Sequence, residues 1–179
     1  MAGGGGGAGT GVAFEQHCVK QNDDNGSKAL PHFARMDPSI VAELEAWERT
    51  VSPSETGDPL WKLHAYRLAR YQLDCCLRDL REAQAPLPRD GADQLRRAVA
   101  SIGANLSEGY SRHTPADRAR FYSYALGSLR EAAVWYLSLQ NMLAPERLAH
   151  RLGLIAQERR LLLGVVNAVN RTTGRRLGN

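Results

Sequence analysis

Between Gln94 and Arg112 apolar and polar positions repeat with the period of an α-helix. Leu95, Val99, Ile102 and Leu106 recur at three- and four-residue steps and paint an apolar stripe for a neighbouring helix. Arg97, Ser101, Asn105 and Glu108 recur at the same steps on another part of the surface. This ordered polar stripe is either a second packing or binding surface, or a solvated helix face with an incidental ion pair.

The same period continues on both sides. From Leu60, the residues Leu63, Tyr66, Leu73, Leu77 and Leu80 stripe a first long helix, which Pro86 and Pro88 end because their rings cannot continue it. Asp90 is placed to cap the second helix, which stops at Gly109. Thr114-Pro115-Ala116-Asp117 joins a cap, a first-turn proline and an early acid, and so starts a third helix. That helix carries two stripes, one of Phe121, Ala125, Ser128, Ala132, Trp135, Leu139 and Met142, the other of Tyr122, Leu126, Leu129, Ala133, Tyr136 and Leu137. Pro145 and Glu146 open a fourth, aligned on Leu148, Leu152, Ile155, Leu162, Val166 and Val169, and Gly174 follows its end.

Four such helices with short connections lie antiparallel to their neighbours, so the expected fold is all-α, an up-down-up-down four-helix bundle over residues 60–171. On the fourth helix Leu154, Leu161, Val165 and Ala168 lie beyond what one core would use. Pairing with further copies of the chain would cover them. Docking of a short helix over residues 38–51 would cover one patch instead.

That short helix follows from Asp37-Pro38, a cap and a first-turn proline, and from Ile40, Val41, Leu44, Trp47 and Val51. Residues 36–59 are therefore read as a short amphipathic helix and a linker. Residues 1–35 hold the run Gly3 to Gly7 and the polar stretch Gln21 to Ser27, a composition that cannot offset the entropy of ordering, and disorder is expected there. Gly4, Gly6 and Gly9 satisfy a G-x-G-x-x-G spacing, but a nucleotide fingerprint needs a strand before it and a helix after it. Residues 172–179 form a basic C-terminal tail.

Composition narrows the function classes. The chain has 179 residues, 43% of them hydrophobic, enough for one domain with a tail. No run reaches the roughly 18 apolar residues of a membrane span, and a cytoplasmic location without membrane contact is expected. Cys18, Cys75 and Cys76 make no disulfide framework. The net charge of +4 is uneven: residues 1–56 carry four basic and eight acidic side chains, residues 57–179 nineteen and eleven. Eighteen of those nineteen are arginine, whose guanidinium fork suits phosphate, although a GC-rich genome would produce the same bias.

Catalysis is not expected. His64, His113 and His150 are isolated, with no partner at a helical metal-ligand spacing, and no nucleophile motif occurs. No metal and no cofactor are implied. Glu108 reads as one half of an ion pair that fixes register, with Arg97 or Arg96, brought within reach through the third helix or a neighbouring copy of the chain, as the other half. For nucleic acid the candidates are Arg96 and Arg97 on the second helix, Arg159 and Arg160 on the fourth, and Arg171, Arg175 and Arg176 at the C-terminal end. A solvated arginine surface is the plainer account of the same residues.

The run Gln94-Leu95-Arg96-Arg97-Ala98 with Ser101-Ile102, then Asn105-Leu106-Ser107-Glu108-Gly109, then Phe121 and Ala125-Leu126-Gly127-Ser128-Leu129-Arg130-Glu131, resembles a bacterial four-helix-bundle family. It includes proteins encoded in intervening sequences of large-subunit ribosomal RNA genes and is related to the accessory variability proteins of diversity-generating retroelements. The resemblance spans Leu60 to Arg171, and it marks Ser101, Asn105, Glu108, Gly109, Gly127 and Glu131 as structural motif residues. It implies antiparallel four-helix protomers assembled into rings, commonly pentamers, with basic surfaces. For the retroelement relatives it implies partners in nucleic acid and a reverse transcriptase. The chain departs from the family at Ala133, where a second glutamate commonly follows the first.

Together these readings give a non-catalytic homo-oligomeric scaffold that binds RNA, DNA or a nucleic-acid-processing partner by charge. The alternative is a protein–protein adaptor without nucleic-acid binding, its N-terminal amphipathic helix engaging a partner groove.

Overall fold

Proline and capping residues set where the helices begin. A computed structural model describes residues 38–83 and 89–172, which fall within a compact unit, Met36–Asn179. The expectations for residues 1–35, Cys18, Pro86, Pro88 and the tail beyond Thr172 lie outside the described residues. Among the described residues there are six α-helices and no strand, so the chain is all-α. They are α1 (Pro38–Glu48), α2 (Pro53–Thr56), α3 (His64–Glu82), α4 (Arg89–Tyr110), α5 (Pro115–Ser138) and α6 (Pro145–Thr172). Short 3-10 turns occupy Pro59–Lys62 and Gln140–Met142.

Thr114 caps α5 as its sequence predicts: its hydroxyl oxygen accepts from the Asp117 amide at 3.1 Å, with Pro115 in the first turn. Two other starts differ. The first long helix begins at His64, because Asp58 accepts from the Leu60 amide at 2.8 Å and turns Pro59–Lys62 into a 3-10 segment ahead of it. Asp90 lies inside the first turn of α4, where an acid suits the helix dipole, and is not its cap.

Each of α3, α4, α5 and α6 packs on the next in sequence, and α6 returns to α3. The core lies between them. On α4 the expected stripe of Leu95, Val99, Ile102 and Leu106 is fully buried. Helix α5 is buried at Ala125 and Ala132 of one stripe and at Tyr122, Leu126, Leu129 and Tyr136 of the other, because it packs on α4 and α6 at once, while Leu137 of the second stripe is exposed.

On α3 the core face is not the expected one. Leu63, Tyr66, Leu73 and Leu80 are only half-buried and Leu77 is exposed, whereas Ala65, Leu68, Ala69, Gln72, Cys75, Cys76 and Asp79 turn inward. Small side chains there allow close approach: Ala69 stands 3.9 Å from where a Cβ on Gly103 of α4 would lie.

The surplus expected on α6 is also smaller. Leu154 and Leu161 are buried within the fold, and Val165 and Ala168 are half-buried. Part of the covering comes from α1, which docks on its own chain. Ile40 and Leu44 are buried, with Ile40 against Gly153 of α6, and Trp47 stacks on Trp61 at 6.0 Å and meets Tyr71 of α3 at a tilt, 5.6 Å between ring centres. Glu43 fastens the contact, accepting from the Tyr71 hydroxyl at 2.8 Å and meeting His150 Nε2 at 2.8 Å. The apolar face of this helix is thus occupied within its own chain.

Candidate nucleic-acid interface

The polar stripe of α4 faces outward. Arg97 and Glu108 are exposed, Ser101 and Asn105 half-buried, and Asn105 Nδ2 donates to the Ser101 carbonyl at 2.8 Å. Glu108 pairs with Arg112 one turn further on. Within one chain Arg96 and Arg97 are out of its reach, because eleven or twelve residues of helix separate them by about 17 Å. Arg96 instead meets Asp93 at 3.5 Å.

Gly109 has a steric task. A Cβ there would stand 2.7 Å and 2.8 Å from ring carbons of Tyr122 and 3.1 Å from Cβ of Phe121, so only glycine lets α5 come this close to the end of α4. Gly127 has none of this: it is exposed, and nothing lies within 4 Å of a Cβ placed on it. Glu131 is exposed and accepts from Trp135 Nε1 at 3.4 Å.

Beside Gly109 the corner between α4 and α5 gathers cations and aromatic rings. The Arg112 guanidinium carbon lies 4.8 Å from the Phe121 ring centre and that of Arg120 5.5 Å. Tyr124 meets Phe121 edge-on at 5.7 Å. Arg118 is buried and donates from Nη2 to the Arg112 carbonyl at 3.0 Å, which holds the turn in shape. Sequence reasoning missed this corner. Its signal is present, since only a short turn separates Arg112 from the start of α5 and so brings Phe121 back beside it, but it depends on the turn rather than on periodicity.

The arginines singled out from the sequence are not brought together. Arg96 and Arg97 are exposed on α4, Arg159 and Arg160 on α6, two helices that each pack on α3 and α5. Arg160 is hydrogen-bonded to Gln157. The Arg171 side chain, and Arg175 and Arg176, lie outside the described residues.

Polar chemistry also occurs inside. Asp79 on α3 is bound by Arg151 of α6 and by the Tyr136 hydroxyl of α5 at 3.0 Å, with Arg147 at 3.7 Å. Burial is the largest single influence on Arg151 and works against its charge, but the hydrogen bonds to Asp79 and the charge interactions with Cys75, Asp79 and Tyr136 together outweigh it and raise the group above the ordinary guanidinium value. Burial pushes the Tyr136 hydroxyl up, with Cys76 and Asp79 adding to it. Cys75 and Cys76 are free and buried; burial raises both thiols, Cys76 to about 12, which withholds the nucleophilic thiolate. Glu158 is wholly buried on α6, with Gln72 Nε2 donating to Oε2 at 3.4 Å and Oε1 unpartnered.

A groove of about 400 Å³ runs between α3 and α4 past Tyr66, Arg70, Leu73 and Gly103. Its one acid, Glu55, is held by Arg70 at 2.6 and 3.2 Å, an arrangement suited to structure rather than proton transfer. Among the described residues no group of three His, Cys, Asp or Glu is placed to hold a metal ion, and no helix is long and apolar enough to cross a membrane.

No curated protein matches this chain. A family match covers α4, α5 and most of α6, leaving α1 and α3 before it. Over residues 89–163, with the α4 signature run and the Gly109 corner inside them, the chain matches the family described as 23S rRNA-intervening sequence protein.

Proposed function

We propose that the chain is a non-catalytic, homo-oligomeric helical scaffold that binds nucleic acid, or a nucleic-acid-processing partner, through basic surfaces. The observation that carries this is the family match over a segment whose outer surface presents Arg96, Arg97, Arg112, Arg120, Arg159 and Arg160. Exposed guanidinium groups pair with phosphate oxygens regardless of base sequence, so the affinity is electrostatic and falls with salt.

The scaffold is an antiparallel up-down-up-down four-helix bundle. Gly91 near the start of α4 neighbours Leu139 and Trp135 near the end of α5, while Gly109 at the end of α4 neighbours Phe121 and Tyr122 near the start of α5. Between α3 and α6 the contacts Gln72 to Glu158 and Asp79 to Arg151 run in opposite directions in the same way. Self-association is supported by the outer face of α5, where Val134 and Leu137 are 59% and 47% exposed. A closed ring, a pentamer by resemblance to the family, would repeat each arginine pair around its circumference and multiply a modest field. The free Cys75 and Cys76 fit a reducing, cytoplasmic setting.

The α5 face also favours a second reading, an adaptor that docks another protein there and leaves nucleic acid alone. Light scattering coupled to size exclusion on the full chain, with and without a short RNA at low and high salt, separates the two. A multimer that takes up RNA at low salt and releases it at high salt supports the scaffold. A species indifferent to RNA at either salt favours the adaptor.

A further inference from the structure

We propose that the α4–α5 corner is a binding site for single-stranded nucleic acid, in which Tyr124 stacks a base and Arg112 and Arg120, seated on the Phe121 ring, hold the adjoining phosphates. The site rests on the nucleic-acid reading above and gives that reading a place and a ligand class.

Both guanidinium groups sit over one ring, within 5.5 Å of its centre. A guanidinium stacked on an aromatic face keeps its N–H edge available, and the side chains of Arg112 and Arg120 remain exposed. Two such edges about one ring are close enough to serve successive phosphates of one strand. Tyr124, half in water, stands at 83° to Phe121 and extends the aromatic surface outward. An exposed aromatic platform flanked by cations is what an unpaired base with its backbone requires; in a duplex the base faces are already stacked and out of reach.

The local charge is positive. Arg112, Arg118 and Arg120 face two carboxylates, Glu108 on Arg112 and Asp117 at 3.2 Å from Arg120. Both pairs are exposed ion pairs between residues of one helix or its end, which water screens, so a phosphate can displace either acid. Asp117 is in addition engaged by the Thr114 hydroxyl at 2.8 Å, which leaves it a weaker competitor. The family signature builds the corner: Glu108 steadies Arg112, and Gly109 admits Phe121 beside it. The motif residues therefore position the site without themselves touching the ligand.

Fluorescence polarisation with the full chain tests this, using a labelled uridine-only RNA of about 15 nucleotides and a duplex of equal length. The wild type is expected to prefer the single strand. Tyr124→Ala should weaken single-strand binding about tenfold and leave duplex binding unchanged, while Tyr124→Phe retains it. Arg112→Ala and Arg120→Ala should each lower the slope of log affinity against log salt by about 0.7. Wild-type binding that survives all these changes but is lost in Arg96→Ala/Arg97→Ala or Arg159→Ala/Arg160→Ala overturns the corner and leaves the broader reading standing. Equal loss on single strand and duplex overturns the stacking role. A wild type that binds neither RNA overturns both.

Discussion

Asp79 on α3 is gripped along both edges by Arg151 on α6, with Nε 2.7 Å from Oδ2 and Nη2 3.0 Å from Oδ1. The Tyr136 hydroxyl of α5 donates to the same Oδ2, so one carboxylate that is 1% exposed ties three helices together. A buried pair is costly to break because the survivor keeps its charge without a partner. Asp79→Ala should therefore destabilise the fold by roughly 3 kcal/mol or more. The double change Asp79→Leu with Arg151→Met should recover most of that loss, since a well-packed apolar pair avoids the desolvation altogether. Urea unfolding of the two variants beside the wild type checks both statements, and a single variant no less stable than the double one would contradict them.

Gly109 and Gly127 are both helical and both part of the signature, yet they should respond oppositely to alanine. At Gly109 the new methyl meets the buried Tyr122 ring at 2.7 Å, and Tyr122 is fully enclosed, so it has nowhere to move. Overpacking of about 1–3 kcal/mol outweighs a helix-propensity gain of about 1 kcal/mol, and Gly109→Ala should lower the melting temperature. At Gly127 only the propensity gain applies, and Gly127→Ala should raise it. Thermal unfolding followed by circular dichroism gives both signs.

Why α4 was legible in the sequence and α3 was not follows from the range of the forces involved. The α4 stripe is local periodicity, and Thr114 is a local cap, so both can be read from neighbouring residues. On α3 the leucines point partly to water, while Ala65, Ala69, Gln72 and Asp79 face the core. Their burial depends on Gly103, Glu158 and Arg151 on other helices, in the last case 72 residues away. No local pattern marks an aspartate as buried when its partner is that remote. Within the chain Glu108 finds Arg112 four residues on, a local partner that helical spacing alone offers. Of the candidate interface, the sequence yields the arginine pairs on single helices but not the corner, which a tight turn assembles.

His64 should remain neutral well into the acid range. Burial lowers its ring from the ordinary 6.5 to about 4, and the neighbouring Arg67, with Nη2 2.8 Å from Nδ1, adds to this. The unfolded chain takes up a proton near 6.5 while the folded one refuses it until about 4, so stability falls as pH drops through that window. An NMR titration of the imidazole protons should show His64 unchanged through the pH range around 6.5 and titrating only near 4.

Glu158 imposes the opposite dependence. Complete burial raises its carboxyl well above the ordinary 4.5, and among the described residues Gln72 is its one hydrogen-bond partner, while Arg151 on the same helix is committed to Asp79. Below about 4.5 the folded and unfolded chains both hold the proton and the group contributes no penalty. As pH rises past that value the unfolded chain ionises while the folded one stays protonated, so folding must retain a proton that the solvent favours removing. Stability therefore declines with rising pH until the folded group itself ionises. Glu158→Gln keeps the shape and still accepts from Gln72, yet removes the titration. The variant should match the wild type near pH 4.5, exceed it increasingly toward neutral pH, and show a flatter stability curve in urea titrations across that range. A wild-type curve that rises in parallel with the variant would show that Glu158 is ionised and paired in the folded chain.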